Sequence, residues 1–192
     1  MDKKPIIDAG AGLSTQRLVL RRFTAADLDQ LDRLNRDAEV MRHLGGVASR
    51  EHTRAMLEQR ILSYYDEQPG LGVWATLERG SGQCIGFNLL NHIRGEQHIQ
   101  VGYRLFPAYW GRGYATEMSV ALLRYGFANL GLRTITAITA PDNRDSQNVL
   151  LKSGLQRRGE RAFAHPAYAQ WGAMPWFVRD AADWLAEDAQ RL

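Results

Sequence analysis

The stretch YWGRGYATE, residues 109–117, sets Gly111 and Gly113 on either side of Arg112, directly before residues of helical pattern. The first NH groups of a helix have no partner within it, and the helix dipole adds partial positive charge at that end. Arg112, Gly113, Tyr114, Ala115 and Thr116 would then offer a row of backbone NH groups, with Gly113 and Ala115 too small to hold a ligand away. Such a row suits a pyrophosphate; the plainer alternative is a tight turn before a helix. The stretch is not a P-loop, because no Gly-Lys-Ser/Thr follows, and it lacks the full GxGxxG of a dinucleotide fold. Further along, PDNRDSQNVLLKSG offers Asn143, as ligand or as helix cap, and the hydroxyl of Ser146. His98 and Gln100 stand two residues apart in a strand-like segment and so point to one face. An imidazole can take up a proton near neutral pH, directly or through water, whereas glutamine does not titrate and can only orient a partner. The single cysteine, Cys84, excludes an intramolecular disulfide and any multi-cysteine metal site, and its apolar surroundings in QCIGF read as those of a buried structural thiol.

These residues need a frame. TQRLVLRRF alternates with a period of two, as a half-buried strand does. Thr24 followed by Asp27 resembles a capping box and opens an amphipathic helix with Leu28, Leu31 and Leu34, stopped by Gly45-Gly46. Ser49 caps a second helix carrying Met56, Leu57, Ile61, Tyr64 and Tyr65, which QPG ends. The strands GVWATLE and QCIGFNLLNHI flank the turn RGSG, and HIQVGYRLF follows as a third until Pro107. The segment from Tyr114 to Leu130 is apolar nearly all round, which predicts a largely buried helix, with Gly131 as its stop. TITAIT reads as a short buried strand, DSQNVLLK as a short helix closed by Gly154, and PWFVRDAADWLAEDAQ as a last strand and helix. The predicted order is β-α-α-β-β-β-α-β-α-β-β-α. It implies an α/β (α+β) fold with a mixed, mostly antiparallel central sheet of about seven strands flanked by helices.

At 192 residues, with 45% apolar and 23% charged side chains, the chain suits one domain, a leader at 1–14 and a core over about 15–186. A net charge of +3 with scattered basic pairs carries no nucleic-acid stripe. No run approaches the roughly 18 apolar residues that span a membrane, and no signal-type apolar segment follows the first residues, so a cytoplasmic location is expected.

Taken together, LFPAYWGRGYATE, the strand VGYRL, PDNRDSQNVLLKSGL and the closing VRDAADWL resemble the GNAT superfamily of N-acetyltransferases, and in particular its RimJ/RimL-like branch. The cofactor motif of that family, Q/R-x-x-G-x-G/A, maps onto Trp110, Gly113 and Ala115, with Trp in place of Gln/Arg. A second match places Asn143, Ser146, Lys152, Gly154 and Leu155 on N-x-x-S and K-x-G-hydrophobic. The resemblance covers roughly residues 15 to 186 and implies an acetyl-CoA-dependent transfer to an amine, either a protein N-terminus or a small molecule. It implies that the backbone of Leu105 and Phe106 pairs with the pantetheine arm. It further implies that NH groups of the stretch from Gly111 to Thr116 hold the pyrophosphate, that Asn143 bonds the pantetheine and that Ser146 lies near the sulfur. The two helices between residues 24 and 68 would wall the acceptor side. Two positions depart from the pattern: Leu150 stands where many relatives carry an acidic tyrosine, and Gln100 where they often carry a basic glutamate. That leaves Ser146, Gln100 and His98 as the catalytic candidates and keeps a non-catalytic acyl-CoA-binding module as the other reading. A homodimer is compatible with this reading, and neither nucleic acid nor membrane is an expected partner.

Overall fold

The computed structural model describes residues 12–189, so most of the expected leader lies outside the described residues. Thr24 and Asp27 form the reciprocal capping box, which opens one tight turn before α1 (Leu28–Arg36). Leu28, Leu31 and Leu34 are its buried stripe. The helix does not run on to Gly45-Gly46, because the Asp37 side chain accepts from the amides of Glu39 and Val40 and starts a separate α2 (Ala38–Met41). Ser49 caps α3 (Arg50–Met56), which passes through a π-helical stretch at Leu57–Leu62 into α4 (Ser63–Glu67). A widened turn of this kind leaves no trace in hydrophobic spacing, since the apolar positions still fall on one side.

Seven strands make one sheet: β1 (Leu18–Arg22), β2 (Gly72–Glu78), β3 (Cys84–His92), β4 (Ile99–Leu105), β5 (Thr134–Ile138), β6 (Gln156–Ala162) and β7 (Ala173–Asp180). Their spatial order is β1-β2-β3-β4-β5-β7-β6. Every neighbouring pair is antiparallel except β4 and β5, which the long helix α5 (Tyr114–Ala128) connects as a parallel crossover. α6 (Arg144–Lys152) lies between β5 and β6, and α7 (Ala181–Ala189) follows β7. The expected mixed sheet flanked by helices is therefore the observed one. β6 is exposed along nearly its whole length, as an edge strand of sequence QRRGERA requires.

The core lies between the sheet and α5, where Met118, Leu122 and Leu123 are fully buried. Each such side chain contributes about 2 kcal/mol by leaving water. Burial of the two central strands is uneven. Leu90, Val101 and Leu105 are buried, whereas Leu89, Asn91, Gln100, Gly102 and Arg104, which alternate with them, are only half-buried. One face of β3 and β4 is thus sealed and the other, on the side of α1, is partly open. No helix among the described residues is long and apolar enough to cross a membrane.

Candidate active site

Gly111 and Gly113 both adopt left-handed backbone, at φ 69° and 77°, which side-chain-bearing residues rarely take. Gly113 is the N-cap of α5, so the turn aims the first free NH groups of that helix outward. Gly111, Arg112 and Gly113 are exposed and Ala115 and Thr116 half-buried; the Tyr114 side chain is buried, so only its backbone belongs to the surface. Two guanidinium groups flank the turn. Arg17 reaches from before β1, with Nη1 donating to the Arg112 carbonyl at 2.9 Å and its cation 4.5 Å above the Tyr114 ring. Arg112 lies 4.9 Å from the same ring and pairs with Glu78 at 3.4 Å. Glu117 fixes Arg17 through a 2.6 Å contact. Burial works to raise the Glu117 carboxyl, but hydrogen bonds from Thr15 and Arg17 outweigh it and hold it below its usual range.

The strand that ends at this turn parts from its neighbour. β4 and β5 share one registered pair, Gln100 opposite Thr136, although β4 runs on to Leu105 and β5 to Ile138. Thr136 donates to the Ile99 carbonyl, and the amide of Phe106 donates to Ile85 on the opposite side at 3.0 Å. Alternation therefore turns the peptide groups of Val101, Tyr103 and Leu105 toward the gap, and that of Phe106 away from it. Of the two residues expected to meet an arm laid along β4, Leu105 faces the gap and Phe106 already has its partner in β3. The indole of Trp110 donates to the Leu105 carbonyl at 2.7 Å, which ties the glycine turn to the strand end and leaves the Leu105 amide directed at the gap.

Asn143 caps α6, its Oδ1 accepting from the Ser146 amide at 3.0 Å. The Ser146 hydroxyl lies 3.0 Å from that of Tyr103, which also donates to the Ser146 carbonyl. Burial pushes the Tyr103 hydroxyl well above the ordinary tyrosine range, partly opposed by the Ser146 hydrogen bond, so it remains a proton donor at every physiological pH. Leu150, at the position where the resemblance implies a tyrosine in many relatives, is buried in the core. A tyrosine does stand beside Ser146, but it comes from β4. Its alternation with Val101 and Leu105 marks it in sequence as a core residue. Arg17 is equally invisible there, being 95 residues from Arg112.

On the open face, Gln100 donates to Asn91 at 3.3 Å. His98 leans on Trp176 at the near end of β4, and its Nε2 receives Arg161 Nη1 at 2.7 Å. Arg161 is held in turn by Glu96 at 2.9 Å. The imidazole thus spends its accepting nitrogen on a cation, and the structure does not bring it together with Ser146. Cys84 is half-buried, its thiol pushed up by burial and directed at the Gly86 carbonyl. No group of three or more metal-ligating side chains forms among the described residues.

A positively flanked helix start beside a gap between parallel strands suits the binding of an extended anion. Comparison with known proteins points the same way. Residues 17–156 match the family described as acetyltransferase (GNAT) domain. The chain is 32% identical over 151 residues to the uncharacterized N-acetyltransferase YoaA of Bacillus subtilis, covering 77% of this chain and 84% of that protein. It is 27% identical over 158 residues to the FsC-acetyl coenzyme A-N(2)-transacetylase of Aspergillus fumigatus, covering 78% and 66%. Among solved structures, an acetyltransferase from Agrobacterium tumefaciens superposes with a TM-score of 0.76 at 24% identity, over 93% of this chain and 99% of the other. The ribosomal-protein-S5-alanine acetyltransferase of Vibrio fischeri gives 0.70 at 18%, over 91% and 98%, a likeness of fold. With a family match spanning most of the sheet and the glycine turn itself, the chain belongs to the GNAT family of acetyltransferases.

Proposed function

We propose that this protein is an acetyl-CoA-dependent N-acetyltransferase that transfers the acetyl group directly to a primary amine. One observation carries the reading: a left-handed glycine turn presents the start of α5 at the end of a strand that has parted from its parallel neighbour. The backbone from Arg112 to Thr116, with the Arg17 and Arg112 cations beside it, would hold the pyrophosphate. The Leu105 amide would meet the pantetheine arm and donate to the carbonyl as it gains charge. The acetyl thioester supplies the activated acyl group. Ser146, with Tyr103 behind it, would give a proton to the departing sulfur.

Gln100 does not titrate, and the His98 Nε2 is engaged by Arg161, so no strong side-chain base is assigned. An acceptor with an α-amine, of pKa about 8, deprotonates in useful amounts unaided, whereas a lysine-type amine near 10 does not. This favours an α-amine, either on a protein N-terminus, in keeping with the RimJ/RimL resemblance, or on a small molecule. The same absence of a base favours the second reading, a non-catalytic acyl-CoA-binding module. Release of CoA thiol with any member of an amine and peptide panel decides against that module.

The cofactor assignment has its own test. Ala115→Asp places a carboxylate against the pyrophosphate and should weaken CoA binding at least about tenfold, or ~1.4 kcal/mol, with the fold intact. Unchanged affinity by calorimetry in a folded variant removes the assignment.

A further inference from the structure

The open face of β3 and β4 carries a charge that no carboxylate among the described residues neutralises. Arg104, between α1 and the sheet, donates through Nη1 to the neutral Asn35 side chain, and its cation lies 5.0 Å above the Phe87 ring. Its Nε is buried without a partner. Asn35 is itself pinned by a 3.1 Å bond to Thr53 and has no charge to offer. Arg94, just past β3, is anchored by its amide to the Tyr168 hydroxyl at 3.2 Å. Burial first, and then the charge of Arg94, pull the Arg104 guanidinium down to about 10, so the two cations feel one another. Burial lowers Arg94 as well, with Tyr168 opposing.

The carboxylates in reach are committed elsewhere. Asp32, three residues before Asn35, gives its Oδ2 to Arg50 at 3.2 Å and to Arg36 at 3.7 Å, and its Oδ1 is buried without a hydrogen bond. Glu96, two residues after Arg94, is taken by Arg161 at 2.9 Å. Among the described residues neither Arg94 nor Arg104 meets a carboxylate. Two half-buried cations of the same sign are costly to keep together, and a chain retains such groups where a ligand completes them. Between them Asn91 and Gln100 are half-buried, so this part of the face stays reachable, while Leu89 of β3 packs over Gly102, where a Cβ would meet it at 3.1 Å.

We propose that the acceptor amine carries a carboxylate, and that Arg104 and Arg94 receive it on this open face while the amine points past Gln100 to the gap between β4 and β5. Planar guanidinium groups match a carboxylate with paired hydrogen bonds, which makes arginine the fitting residue for the role. The inference rests on the acetyl-transfer reading and narrows its acceptor to amino-acid-like molecules or to peptides with an acidic first residue.

The test compares L-amino acids with their α-carboxamides, and Asp-initiated with Asn-initiated tetrapeptides, as acceptors with acetyl-CoA, with rates referred to the neutral amine. One acid in either set should exceed its amide partner at least tenfold in kcat/KM, a loss of about the size expected for a charged hydrogen bond. The set that shows the effect identifies the source of the carboxylate. Arg104→Met and Arg94→Gln should each erase the advantage, and Arg104→Met should melt no lower than the parent because it removes an unpaired cation. Amides used as well as acids, or an advantage that survives both substitutions, overturns the proposal. Should no amine release thiol, the acetyl-transfer reading falls, and thermal stabilisation by succinate and glutarate still reads the site. A dose-dependent rise in Tm lost in both variants supports it; no rise, or the same rise in all three proteins, overturns it.

Discussion

Tyr103 and Ser146 act as one unit at the residue scale. The tyrosine hydroxyl lies 3.0 Å from both the Ser146 carbonyl and the Ser146 hydroxyl; turned to the hydroxyl, its single proton would leave the serine proton to reach the sulfur in the proposed transfer. Ser146→Ala should lower kcat by roughly tenfold, the equivalent of about 1.4 kcal/mol of lost donor stabilisation, with little change in acetyl-CoA affinity. Tyr103→Phe should cost a similar factor, and the double variant should be no worse than the serine variant, because the tyrosine works through it. Losses that multiply in the double variant would assign Tyr103 a contact of its own. A silent Ser146→Ala would reduce the serine to the helix start that Asn143 caps.

At the scale of elements, the cleft depends on how closely β3 holds β4. Gly86 stands opposite Leu105 with φ at 144°, and a Cβ there would come within 2.1 Å of the Arg104 carbonyl and 2.7 Å of the Leu105 Cα. Those are backbone atoms, which cannot rotate aside. Gly86→Ala must therefore push the end of β4 away from β3, at the point where Trp110 clamps the glycine turn. The expected cost is about 2–4 kcal/mol of stability, accompanied by weaker CoA binding. Chemical denaturation showing no loss would mean that the strands part at that point without strain. This close approach is legible only in three dimensions, since the sequence shows one more glycine in an apolar run.

For the molecule as a whole, folding stability should respond to acid through Asp27. Burial tends to raise its carboxyl, but hydrogen bonds from Arg21 at 2.7 and 2.8 Å and from the Thr24 amide at 2.8 Å prevail and lower it. A carboxyl lowered by folding contributes stability above its unfolded pKa, about 3.9, and that contribution disappears as pH falls through the folded value. Asp27→Asn should cost about 1 kcal/mol at neutral pH, a modest figure because Arg21 is partly solvated. As the pH falls below the unfolded pKa and through the lower folded one, the two proteins should converge. A constant difference from pH 7 to pH 2, measured by denaturant titration, would show that the loss comes from the capping geometry and not from the charge.

The amino-acid sequence by itself determined the order of the strands along the chain and the main helices, though neither the break at Asp37 nor the π-helical stretch at Leu57–Leu62, because apolar spacing, caps and glycine stops are local and each segment must bury its own apolar side. It also located the glycine turn at 111–113 and offered Asn143 as ligand or cap, since that chemistry lies within a few residues of chain; the structure shows the cap. Tertiary structure alone decided the rest of the site. Tyr103 meets Ser146 across 43 residues, Arg161 takes the nitrogen of His98 across 63, and Arg17 reaches the glycine turn across 95. The parting of β4 from β5 and the position of Arg104 beside Asn35, with no carboxylate on it among the described residues, belong to the same class. They arise from which strands become neighbours and which face is left uncovered, and no local pattern in the chain records either.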